Sequence, residues 1–132
     1  MLEYLEPQVF SRIKYQFPAS VKANFPNLDF TTDGNQTNNI TKFPQVYVHS
    51  MGGIETSKDL ERTRINGMQA TFQVDVTDNV SQANARTVMN EVVKIMKSML
   101  FEVSTMPMPS DYGGVYRYVA RFRRNIDEND IL

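Results

Sequence analysis

The chain has 132 residues, 41% of them hydrophobic, and a formal net charge of −1, which suits one globular domain with a modest core and leaves no room for a second. Cysteine is absent and His49 is the single histidine, so a disulfide framework, a thiolate metal centre and a multi-histidine site are excluded. A pI of 5.8 argues against a general nucleic-acid binder, and the acidic opening and lack of any long apolar run predict a soluble protein made in a cytoplasm.

Leu5, Val9, Ile13 and Phe17 recur every fourth residue with Phe10 beside them, which predicts an amphipathic helix over residues 4–17 whose role is core packing. Pro7 is tolerable in its first turn and Pro18 ends it. Residues 28–31 suggest a short strand, and 33–39, rich in Asn, Asp and Gly, an exposed loop. That loop has the glycine and side-chain oxygens of a calcium loop without its alternating acids and closing glutamate, so no metal is assigned to it.

Residues 43–50 alternate as a strand, with Val46 and Val48 on one face and Gln45, Tyr47 and His49 on the other. Pro44 cannot donate to a ladder and belongs at the strand's beginning or on an edge. His49 reads as a surface residue with no catalytic role. The stretch from 51 to 67 is long for a connection in so small a domain, and about 52–66 is expected to project as an arm. Asn66-Gly67 is a type I′ turn signal, with 62–65 as the short strand it reverses. The arm's charged residues, Glu55, Lys58, Asp59, Glu61, Arg62 and Arg64, balance to zero, which suits a solvated or protein-contacting segment better than a phosphate cradle. With Ile54 and Leu60 they are its candidate interface residues.

Residues 68–77 alternate without a break. Met68, Ala70, Phe72, Val74 and Val76 form one apolar wall, and Gln69, Thr71, Gln73, Asp75 and Thr77 an opposite wall open to solvent or another protein. Ser81 can cap a helix beginning near Gln82, along which Ala85, Val88, Met89, Val92, Ile95, Met96, Met99 and Leu100 fall on one stripe. Residues 101–105 suggest a brief strand and 106–114 a turn-rich connection. From 115 to 123 alternation returns, placing Tyr116, Tyr118, Ala120 and Phe122 inward and Arg117, Arg121 and Arg123 outward with Val115 and Val119. With Arg124 these are the densest positive charge in the chain, followed by a flexible acidic tail, about 125–132. The stripe is either a solvated face partly neutralised by that tail or a contact for phosphate or acidic protein.

No nucleotide-binding glycine loop, nucleophile elbow, zinc spacing or Cys/His pairing is present, so the expected role is binding or assembly and not catalysis. The order of elements in residues 42–48, Glu55 and 59–61, 66–76, the long helix and 115–123 resembles the tail terminator, or tail completion, proteins of tailed bacteriophages and prophages. The resemblance covers most of the chain from Lys42 onward, and the opening helix more loosely. It implies an α+β fold: a mixed, mainly antiparallel sheet with an N-terminal helix and one long helix on one face. It also implies a virion protein that closes as a hexameric ring, caps the tail tube, ends its elongation and meets the head–tail connector or a neck protein. No cofactor and no membrane are implied, and DNA would pass through the ring. On this reading the arm contacts a neighbouring subunit or the tail tube protein, while Arg117, Arg121, Arg123 and Arg124 face a neighbouring subunit or the channel. The acidic pI favours the protein contact. Another neck or tail-tube subunit, or a small cytoplasmic enzyme, are the alternatives.

Overall fold

The computed structural model describes residues 5–32, 42–58, 65–111 and 114–127, with 52–58, 65–68 and 127 described by backbone alone. Helix Leu5–Gln16 (α1) is followed by the single turn Ala19–Lys22 (α2) and the short strand Asp29–Thr31 (β1). Strands Gln45–Lys58 (β2) and Ile65–Asp78 (β3) precede helix Gln82–Ser98 (α3) and strands Glu102–Pro109 (β4) and Tyr116–Asp127 (β5). One five-stranded sheet runs β1-β2-β3-β5-β4, parallel between β1 and β2 and antiparallel elsewhere, with the helices against one face: an α+β fold.

Alternation along β3 sets this arrangement, because the strand is paired on both sides and its two faces meet different surroundings. Phe72 stands opposite Ser50 and Phe122, Val74 opposite Val48 and Ala120, and Val76 opposite Val46 and Tyr118. Phe72, Val74 and Val76 are fully buried, as are Val46, Val48, Ala120 and Phe122. Ala85, Val88, Met89, Val92 and Met96 of α3 and Leu5, Val9 and Ile13 of α1 close the same core. Edge-to-face ring pairs finish it, Phe72 with Phe101 at 5.7 Å and Phe17 with Phe30 at 5.7 Å. Among the described residues no helix is long and apolar enough to cross a membrane.

Both ends of α3 are closed by identifiable groups. Ser81, with extended backbone, accepts the Asn84 N–H on its Oγ at 3.1 Å. At the other end the Phe101 N–H reaches the Met96 carbonyl at 3.1 Å and the Leu100 N–H reaches Lys97 at 2.9 Å, the paired bonds of a Schellman ending. Such an ending needs a left-handed residue, and here it is Leu100 at φ 65° where glycine is usual. Phe101 is nevertheless turned into the core beneath it.

Several sequence expectations are corrected. Asn66-Gly67 is no turn: both residues lie inside β3, with Gly67 paired to Ser57 on one side and Asp127 on the other. Ladder pairing on two sides outweighs local turn preference, and the irregularities between Glu55 and Lys58 absorb the mismatch. Consequently residues 52–58, expected in a projecting arm, continue β2, and the chain reverses between Lys58 and Ile65. Residues 106–109, expected in a connection, belong to β4, which tolerates Pro107 and Pro109 because it is an edge strand with a register shift between Thr105 and Met108. Residues 125–127, expected in the tail, are still β5; the rest of that expected tail, 128–132, lies outside the described residues, as does the stretch 33–39 expected as a loop.

Two measurements check this account. Phe72→Ala should lower stability by roughly 3–5 kcal/mol in denaturant unfolding, while Thr71→Ala, on the opposite face, should cost less than about 1 kcal/mol; equal losses would mean the register is wrong. Leu100 is 71% exposed, so Leu100→Gly removes left-handed strain and little packing, and should raise stability by about 0.5–1 kcal/mol.

Candidate interaction face

The sheet face away from α1 and α3 carries the polar residues of the alternating strands. Across it, Tyr47 of β2 aligns with Asp75 of β3 and Val119 of β5, and His49 with Gln73 and Arg121. Gln45 aligns with Thr77 and Arg117, and Thr71 with Arg123. Period-two alternation therefore assembles Arg117, Arg121 and Arg123 on one surface as expected from sequence. Arg124 falls on the other face: its Nη1 donates to the Met99 carbonyl at 2.9 Å, adding a cation to the carbonyl end of α3.

The three outward arginines differ in their surroundings. Arg117 is held most closely: Nη1 lies 3.8 Å from Asp75 Oδ2, Nη2 donates to Ser110 Oγ at 3.1 Å, and its backbone N–H donates to Asp111 Oδ1 at 3.2 Å. Asp75 is 9% exposed and also accepts from Gln73 Nε2 at 3.0 Å, so its buried charge is answered twice. Gln73 in turn accepts from Arg121 Nε at 3.0 Å, which extends the network to the solvent-exposed part of β5. Arg123 meets Glu102 at 3.7 Å, but with side chains 51% and 76% exposed this pair contributes at most about 1 kcal/mol. Beside the network, Tyr47 and His49 stack at 4.3 Å with planes 12° apart. Met108, opposite Val119, leaves an exposed apolar side chain on the same margin of the sheet. The polar wall of β3 is thus only partly open, because Thr77 and Asp75 are buried.

Of the arm's candidate residues, Ile54, Glu55 and Lys58 lie on the β2 backbone beyond the bulge at Ser50–Gly53, where β1 no longer pairs. Asp59, Leu60, Glu61, Arg62 and Arg64 lie outside the described residues. Sequence reading missed the Tyr47–His49 stack and the Asp75–Arg117 pair. Tyr47 and His49 are two apart on one face, a spacing that could have signalled the stack, whereas the ion pair joins strands 42 positions apart and needs the register to be known. Among the described residues no group of three His, Cys, Asp or Glu side chains is placed to hold a metal.

Burial separates these arginines by consequence. Arg117→Ala should destabilise by roughly 2–4 kcal/mol in urea unfolding, because Asp75 would remain buried without its cation. Arg121→Ala and Arg123→Ala should each change stability by less than about 1 kcal/mol. No protein-family model matches the chain, and no curated protein matches it.

Proposed function

We propose that the chain is a virion structural protein, a tail terminator that closes into a hexameric ring, caps the tail tube and joins it to the head or its connector. The observation that carries this reading is the sheet with one face packed by α1 and α3 and a second face bearing half-exposed rings, methionine and arginine. Such a face has something to offer a neighbour that a solvated face of lysine and glutamate does not: Tyr47, Met108 and Val119 for apolar contact, Arg121 and Arg123 for directed pairs. The hairpin of β2 and β3 extends past the three residues covered by β1 and supplies a second surface for a subunit or the tube. The reading also rests on the resemblance of residues 42–48, 66–76, the long helix and 115–123 to that family.

Light scattering and negative-stain microscopy of the purified protein test this reading. A closed ring with a mass near six times the 15.2 kDa chain is expected, and addition to growing tail tubes should arrest their length. Open tubes made by this protein alone would assign it to tube subunits instead, and a monomer at high concentration would end the proposal. Replacing residues 59–64, between the paired ends of β2 and β3, with a short glycine-serine turn should change the unfolding free energy by less than about 1 kcal/mol and abolish the ring.

A further inference from the structure

An open groove of ≈ 520 Å³ lies where the end of β3 and the start of α3 meet the segments leading into β1 and β2. Phe25, Pro26, Phe43 and Pro44 give it apolar walls, and Asn27 and Asn84 line it beside them. Asp78 also lines it, although only 2% of this residue is exposed. The carboxylate accepts from the Val80 and Ser81 N–H groups at 3.1 and 3.0 Å, both on Oδ2. Among the described residues no hydrogen bond or ion pair engages Oδ1. Oδ1 is not among the enclosed polar atoms left without a partner, so it opens to the groove, and a carboxylate with about four acceptor sites has capacity to spare there.

We infer that this groove binds a guanidinium-bearing side chain of a partner protein, with the planar cation on Asp78 Oδ1 and its stem along Phe25 and Phe43. The walls select the occupant. A guanidinium is planar, stacks on aromatic and proline surfaces, and is more weakly hydrated than an ammonium, so it loses less on entering. Its remaining N–H groups meet the amide oxygens of Asn27 and Asn84. An anion is disfavoured even though a helix begins here: Asp78 and Ser81 already answer the N–H groups of residues 80, 81 and 84, and a second negative charge would be repelled. Arg117, which stands opposite Thr77, faces the other side of the sheet, and the groove supplies no cation of its own at Asp78. The site is separate from the arginine face and independent of ring number.

Agmatine, a guanidinium on a four-carbon stem, is the probe. Titrated into the isotopically labelled protein, it should produce saturable amide shifts at residues 79–87 with a dissociation constant on the order of millimolar, as expected for so small a ligand. Asp78→Asn keeps a carbonyl oxygen for the Val80 and Ser81 N–H groups and removes the charge, so affinity should fall roughly tenfold or more. Thr87 is exposed on α3, and Thr87→Arg should fill the groove from the helix and block agmatine without disturbing the cap. This second variant decides between binding and its absence even if Asp78→Asn fails to fold. Absence of saturable shifts, equal affinity in either variant, or shifts produced by sulfate in place of agmatine would each overturn the assignment.

Discussion

The constraint on which the structure depends is that β3 must satisfy two ladders and two faces at once. Every second side chain along Ala70–Val76 is enclosed by α1, α3 and the inward residues of β2 and β5, and the intervening ones align in rows with Tyr47, His49, Arg117 and Arg121. A slip of one residue would exchange these walls, placing Gln73 and Asp75 against Met89 and Val92. Loss of several buried apolar side chains, each contributing roughly 1.5–3 kcal/mol, exceeds what a domain of this size has in reserve. The register is therefore fixed by packing on one face, and the positions of the polar groups on the other follow from it.

That dependence decides how the outer surface is to be understood. Asp75 is buried because the strand pitch places it there, and Arg117, itself held by Ser110, and Gln73 make that burial tolerable. Toward Arg121 and Arg123 the same row becomes more exposed and its ties looser. The arginine stripe therefore has a structural end and an available end, and a partner would engage the latter. Asp78, one residue beyond the row, serves instead as the joint between strand and helix.

Sequence patterning made most of the interior legible. Four-residue spacing marked Leu5, Val9, Ile13 and Phe17, and the Ser81 cap with its downstream stripe marked α3, because these signals come from residues within one or two turns of each other. What stayed hidden depended on distant partners. Asn66-Gly67 has every local attribute of a turn, yet it lies inside β3, where Gly67 is paired on both sides. Pro107 and Pro109 argue against a strand unless that strand is known to be an edge. Arg124 joins its neighbours as a cluster in sequence, but strand alternation sends it to the α3 end, away from Arg123. The candidate face was legible as a row of residues, and its gradation from bound to available arginines was not.

The position of β5 has a consequence for how the chain is made. This strand lies between β3 and β4 although it follows both in sequence, so when α3 has crossed from β3 to β4 the two strands stand apart with a gap one strand wide. On the ribosome, the inner edge of β3, its apolar wall and the Asp75 carboxylate all wait for β5 to emerge. During that interval β3 is an unpaired edge with high strand propensity, open to wrong partners, and the alternating arginines of β5 arrive as the charge that both completes the sheet and discourages pairing with another copy of the same strand.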